Sequence, residues 1–160
     1  MLVPFEQIND QAKIWIFQAD KQLNQIDEIR QDLYAFLEAW TTHNKQLYSA
    51  GDIVFSRFVV IAVDENHQSV SGCSQDTLTH FMVDLGNKYH VNFLDRMQVA
   101  YLSDKSSEIE TLHLNDLKAK IQSGEINHET KVFNNLVKTK AEFINHWKTQ
   151  IKDSWHQKFV

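Results

Sequence analysis

The single cysteine of the chain, Cys73, is the first candidate for chemistry. A helix is predicted to begin at Ser74, and the free backbone amides at a helix start favour the thiolate form of a neighbouring cysteine. His43 is the candidate base for this thiol, and Asp64, at the end of an apolar strand, is the third candidate catalytic residue. Because a cysteine and a histidine on separate segments are a weak signal for a nucleophile, a small structural cysteine is the competing interpretation.

The same loop is also a candidate site for an anion, since backbone N–H groups at a helix start can hold a phosphate or a carboxylate. The residues assigned to this ligand-binding site are Ser71, Gly72, Cys73, Ser74 and Asp76, together with Glu65 from the end of the preceding strand. In the competing interpretation Ser71 or Ser74 is a helix cap and Gly72 serves a tight turn.

Three sequence motifs that would identify a specific activity or metal site are absent. A thiol phosphatase needs an arginine six residues after its cysteine, and Thr79 stands there. No histidine or cysteine pair has the close spacing of zinc ligands, so no metal site is predicted. Residues 59–65 resemble a Walker B strand, but none of the four glycines is followed by lysine, and the phosphate-binding loop of an ATPase is therefore missing. We expect no ABC-type ATPase activity and no cofactor.

The elements that position these residues follow from the hydrophobic pattern. Strands are predicted at 13–18, 46–50, 53–63 and 96–103, helices at 24–40 and 74–89, and a turn at Ala50-Gly51-Asp52. The third strand is apolar on both faces, which is typical of a central strand. The order β-α-β-β-α-β predicts an antiparallel sheet in the ferredoxin-like arrangement, with the first and third strands in the middle.

The rest of the chain is predicted to form a helical C-terminal extension. Residues 109–114 look extended, and a short helix is predicted from Asn115 to Gly124. Residues 131–155 are predicted to form one long amphipathic helix. Its apolar side is formed by Val132, Leu136, Phe143, Trp147, Ile151 and Trp155. We therefore predict a single α+β domain over 1–160, with a core at about 10–104 and an extension at about 105–160, and a homodimer interface on the long helix.

This topology gathers polar residues at two edges of the sheet. The lower edge is predicted to hold His43, Asp64, Glu65, Cys73, Ser74, Asp76 and Asp104. The upper edge is predicted to hold Asp20, Lys21, Asp95 and Arg96, with Arg57 nearby. The lower edge is the preferred site because it contains the helix start.

Composition limits the class of protein. The chain has 160 residues, of which 42% are hydrophobic and 23% charged, as in an ordinary globular domain. We expect no secretory leader and no membrane span, and a single cysteine suits a reducing cytoplasm. Residues 131–160 carry six lysines against two acids. Nucleic-acid binding is not expected, because the net charge is −5 and no aromatic groove accompanies the lysines.

Several short segments resemble a bacterial protein family of uncharacterised function, whose members have about this length and often carry the label "ABC transporter ATPase". The segments, which span the chain, are Trp15–Gln18, Trp40-x-x-His43, Arg57-Phe58, Val63–Glu65, Ser71–Ser74 with Asp76, Asp95-Arg96 and Val132–Val137. Gln75 stands where the family has isoleucine. The resemblance implies a shared fold and a shared site, and it implies no defined activity.

Two functions are consistent with these observations. The favoured one is a cytoplasmic, non-catalytic binding or interaction module whose ligand the sequence does not identify. The alternative is a small enzyme or an anion-binding domain that uses the Ser71–Asp76 loop with His43.

Overall fold

A computed structural model describes residues 1–160 as an α+β fold with two antiparallel sheets and a short hairpin. The strands are β1 (Lys13–Gln18), β2 (Thr41–Thr42), β3 (Lys45–Gln46), β4 (Ser49–Val54), β5 (Phe58–Val63), β6 (Gln98–Leu102), β7 (Ile109–His113), β8 (Lys131–Phe133) and β9 (Lys148–Gln150). The helices are α1 (Ile26–Ala39), α2 (Gly72–Tyr89), α3 (Leu117–Gln122) and α4 (Lys140–His146).

The first sheet has the strand order β1-β5-β4. All six residues of β5 are buried, as expected for a strand that is apolar on both faces. β1 lies antiparallel to β5, with Lys13 opposite Val63 and Gln18 opposite Phe58, so the predicted neighbourhood of these two segments is confirmed. β1 itself lies at the edge of this sheet and not in its middle.

The ferredoxin-like strand order is not confirmed. The strand expected beside β1 is β6, and it belongs to the second sheet, whose order is β7-β6-β8-β9. Residues 138–140 instead lie beside the first residues of β1, on the side away from β5. The Ile14 N–H donates to Lys138 O at 2.9 Å, and the Lys140 N–H donates to Ala12 O at 2.9 Å. β6 satisfies its own backbone groups by pairing with β7 on one side and β8 on the other.

The segment 53–63 is a hairpin and not the single strand predicted. The chain reverses between β4 and β5 at Phe55 and Ser56, which have positive φ angles of 55° and 52°. Gly51, assigned to a turn from the sequence, lies inside β4. The packing explains this glycine, because a Cβ atom there would lie 2.7 Å from Leu37 Cδ1 on α1.

Both long helices are confirmed, and they cover one face of the first sheet. Apolar residues of α1 and α2 join β5 in the largest buried cluster, which includes Leu33, Leu37, Ile61, Leu78 and Met82. α2 begins after the cap Ser71 and ends at His90, which is in the left-handed conformation with φ 58°. These two ends fix the position of the Cys73 loop and of the chain entering β6.

The long helix predicted over 131–155 is wrong. This segment forms β8, α4 and β9, followed by short 3₁₀ turns at Ile151–Asp153 and Trp155–Phe159. Thr139 starts a new helix at Lys140 by accepting a hydrogen bond from the Glu142 N–H at 3.1 Å. The predicted strand at 109–114 is confirmed as β7, and the predicted short helix as α3.

The C-terminal elements pack on the other face of the first sheet. Trp147 is buried, and its ring centroid lies 4.8 Å from those of Phe58 and Phe133. The residues predicted to dock a second copy are thus partly used inside the chain, and dimer formation stays a prediction. The division into a core and an extension also stays a prediction.

Lys140 joins α4 to the segment before β1. Its side chain is buried, and Nζ donates to the carbonyl oxygens of Phe5 at 2.9 Å, Glu6 at 3.3 Å and Ile8 at 2.8 Å. These three acceptors complete the hydrogen bonding of an ammonium group that is removed from water. No helix of the fold has the length and apolar character that a membrane crossing requires.

Candidate functional site

The predicted catalytic residues His43 and Cys73 lie on neighbouring elements. His43 and Asn44 form the two-residue turn between β2 and β3, with φ angles of 48° and 65°, and His43 is exposed. The Ser74 hydroxyl donates to Thr41 O at 3.0 Å, which holds this hairpin against the first turn of α2. The Cys73 side chain is exposed, and no hydrogen bond joins it to His43.

The serines of the loop fix the start of α2. Ser71 Oγ accepts a hydrogen bond from the Ser74 N–H at 3.1 Å and lies 2.8 Å from Ser74 Oγ. Trp40 Nε1 donates to Ser74 O at 3.0 Å. Gly72 is the exposed first residue of the helix. The expected cap at Ser71 is therefore present, and both hydroxyls have partners within the chain.

The acidic residues of the loop bind backbone amides. Asp64 Oδ1 accepts from the Asn66 N–H at 3.0 Å, and Glu65 Oε2 accepts from the Val70 N–H at 2.9 Å. These bonds shape the segment that leads from β5 to α2. Asp76 is exposed and makes no side-chain hydrogen bond. The Ser71–Asp76 site stays a prediction, with most of its polar groups engaged in holding the loop.

A cavity of about 510 Å³ lies elsewhere, between β1 and the C-terminal half. Its walls come from residues 14–18, 93–96 and 135–138, with Trp155 and His156 from the last 3₁₀ turn. Eleven of its eighteen lining residues are hydrophobic. Its volume lies within the range of small-molecule sites. It includes Asp95 and Arg96, two residues that the sequence placed at the upper edge, whereas the lower-edge residues do not line it.

A chain of side-chain hydrogen bonds holds one wall of this cavity. Gln18 Nε2 donates to Gln98 O at 3.2 Å and so connects the first sheet to the second. Asn135 Nδ2 donates to Gln18 Oε1, and Trp147 Nε1 donates to Asn135 Oδ1, both at 2.9 Å. The amides of Gln18 and Asn135 thus have partners on both sides, which orients them without a ligand.

The open side of β1 forms another wall. In an antiparallel strand, the N–H and C=O groups of alternate residues point to the same side. The Ile14 N–H points away from β5, because it donates to Lys138 O. Ile16 therefore also presents its N–H and C=O on that side, where no strand pairs with β1. The cavity thus borders a short free strand edge.

The third wall contains a neutral histidine. His156 is 2% exposed, and burial lowers its pKa to about 4, so its imidazole is uncharged at neutral pH. Its Nδ1 lies 2.7 Å from Ser154 Oγ. The neighbouring Trp155 ring stacks on the imidazole at 3.9 Å. Trp155 Nε1 is buried and has no acceptor within the chain.

Sequence reasoning missed most of this cavity, because its polar residues are far apart along the chain. Gln18 and Asn135, for example, are separated by 117 residues. Three segments that the sequence analysis singled out, Trp15–Gln18, Asp95-Arg96 and part of Val132–Val137, do line the cavity, although nothing in them predicted that they would meet. A second cavity, of about 330 Å³, lies beside residues 2–6 and is bordered by Tyr34 and Asp52.

No group of three or more His, Cys, Asp or Glu side chains is arranged to hold a metal ion. Comparison of the chain with protein-family models, curated proteins and solved structures gave no match.

Proposed function

We propose that this protein is a non-catalytic binding module and that the cavity between β1 and the C-terminal half holds a small, largely apolar ligand. The observation that carries the proposal is the cavity itself, about 510 Å³ in volume with mainly hydrophobic walls. Small-molecule sites typically combine such walls with a few fixed polar groups. Here Gln18 and Asn135 are fixed polar groups of this kind.

The polar groups around the cavity favour binding over catalysis. Ser154 and His156 are the one serine–histidine pair beside it, and Ser154 Oγ also accepts from the His156 backbone N–H at 3.2 Å. This is the geometry of a helix cap, which holds the hydroxyl in a structural role. Ser154 does not line the cavity, so its oxygen is not offered to a ligand.

The test uses N-phenyl-1-naphthylamine, a neutral dye whose emission increases in apolar surroundings. We expect saturable one-to-one binding, with amide shifts in NMR spectra confined to the segments 14–18, 93–96 and 135–138. Absence of saturable binding, or shifts elsewhere on the surface, would contradict the proposal.

Two matched variants locate the bound dye. Leu136 and Ile144 are both 61% exposed, and only Leu136 lines the cavity. Leu136→Trp is expected to narrow the cavity mouth and weaken dye binding roughly tenfold, because a larger ring competes for the same volume. Ile144→Trp adds the same ring away from the cavity and is expected to leave the affinity unchanged. Equal effects of the two substitutions would place the dye outside the cavity.

The alternative site, Ser71–Asp76 with His43, stays a prediction, as does the cytoplasmic location. The alternative site can be tested by measuring the rate of Cys73 alkylation at a series of pH values. A reaction rate that persists below neutral pH would favour a reactive thiolate over a structural cysteine.

A further inference from the structure

Two cations at the cavity lack ionic partners. Arg96 and Lys138 both line the cavity and are exposed. Neither side chain lies within ion-pair distance of a carboxylate, whereas Arg30, Lys88 and Lys120 do. The charges of Arg96 and Lys138 are therefore available to a ligand.

The acidic residues nearest to these cations along the sequence accept hydrogen bonds from backbone N–H groups. Asp95 Oδ1 accepts from the Met97 N–H at 3.0 Å. Glu142 Oε2 accepts from the backbone N–H of Lys138 at 2.9 Å. Among the lining residues, Asp95 is the single carboxylate against two cations, and His156 is neutral. The charged groups that line the cavity therefore carry a net positive charge, which favours an anionic ligand group.

The interior of the cavity suits a planar apolar body. The aromatic residues on its walls are Trp15, Phe17, Phe93, Phe133 and Trp155. Aromatic walls contact flat ligands over a large area. Trp155 contributes its ring to the wall, while its indole N–H is buried and has no acceptor within the chain.

We infer that the ligand is an amphipathic anion, with a planar apolar body in the cavity and a carboxylate or phosphate group paired with Arg96 and Lys138. This inference rests on the proposed function and adds the chemical class of the ligand to it. Carboxylate and phosphate share the anionic oxygens that guanidinium and ammonium groups bind.

The experiment compares three probes with the same ring. 1-Naphthaleneacetate carries a carboxylate, 1-naphthyl phosphate carries a phosphate, and 1-naphthaleneacetamide is a neutral analogue of the first. Titration calorimetry at low and high salt gives their affinities. We expect both anions to bind more tightly than the amide, and added salt to weaken only the anions. The order of the two anion affinities shows which anionic group this site binds better.

A matched pair of double variants tests whether Arg96 and Lys138 bind the anionic group of the ligand. Arg96→Gln with Lys138→Gln is expected to weaken binding of the anions roughly tenfold and to leave the amide unchanged, because two exposed charge pairs are removed. Lys45→Gln with Lys118→Gln changes the net charge of the protein equally at exposed positions that do not line the cavity. This control is expected to leave all three affinities unchanged.

The outcomes separate this inference from the proposed function. If the amide binds as tightly as the acetate, or if the two double variants behave alike, the ligand class is wrong while the cavity still binds an apolar body. If none of the three naphthalene compounds binds saturably and the neutral dye does not either, the proposed function fails, and the inference fails with it.

Discussion

His156 shows how burial alone changes the chemistry of one residue. Its imidazole packs under Trp155, with no carboxylate in hydrogen-bond contact to stabilise a positive charge. Desolvation is the cause of its lowered pKa of about 4, compared with an ordinary value of 6.5. The last 3₁₀ turn, which closes one wall of the cavity, therefore depends on a histidine that must stay neutral.

This histidine makes stability depend on pH. Between about pH 6.5 and about pH 4 the unfolded chain binds a proton at His156 that the folded chain does not bind. Its contribution is fully present above pH 6.5 and is lost as pH falls toward 4, by about 3 kcal/mol in the free energy of unfolding. Urea unfolding of the wild type and of His156→Gln at both ends of this range measures the difference. The variant is expected to lose less stability, and parallel pH profiles would contradict the assignment.

At the scale of elements, the ends of α2 explain why its prediction succeeded. The segment has a serine cap at Ser71 and an apolar stripe of helical spacing, and both signals are local. β1 was predictable for the same reason, since four β-favouring residues, Ile14 to Phe17, stand together. Local signals, however, do not show which strand pairs with which. The sequence therefore placed β6 beside β1, whereas residues 138–140 lie there.

Two elements were missed for identifiable reasons. The turn at Phe55 and Ser56 contains neither glycine nor asparagine, the residues that usually mark a positive φ, so 53–63 read as one strand. In the C-terminal segment, apolar residues of different elements recur at helical spacing by chance. Thr139 and Glu142 form the S/T-x-x-E pattern of a helix start, a signal in the sequence that correctly marks α4.

Substituting glycine for either of two exposed histidines of α2 is expected to change the stability of the protein in opposite directions. His90 has φ 58°, which glycine adopts without strain, so His90→Gly is expected to stabilise the protein by about 0.5–1 kcal/mol. His80 lies within α2, where glycine loses more backbone entropy, and His80→Gly is expected to destabilise the protein by about 0.3–0.5 kcal/mol. Urea unfolding checks both. A loss of stability in His90→Gly as large as that in His80→Gly would contradict the left-handed cap.

At the scale of the whole molecule, Trp147 connects the two sheets. It packs on Phe58 of the first sheet and Phe133 of the second, and its indole N–H binds Asn135. A tryptophan with contacts on both sides makes the stability of each sheet depend on the other. The candidate cavity lies between the same two sheets, so its shape also depends on this packing.

We expect Trp147→Ala to lower the free energy of unfolding by about 3–5 kcal/mol, because a large buried ring is removed. Ile144→Ala, at an exposed position on α4, is expected to change it by less than about 0.5 kcal/mol.

Wild type is expected to unfold in one transition when far-ultraviolet and near-ultraviolet circular dichroism are compared. Two separate transitions would contradict the prediction of a single domain over 1–160.

Lys140 makes the packing of the N-terminal segment depend on a residue that is synthesised late. Its ammonium group binds the carbonyl oxygens of Phe5 and Ile8, more than 130 residues earlier. The first ten residues leave the ribosome early but have no ammonium partner until α4 has been synthesised. Residues 1–3 already pair with Ser49 by then, so in a nascent chain stalled before Lys140 the turn at residues 5–8 is the part expected to be open to proteases, and release of α4 is expected to protect it.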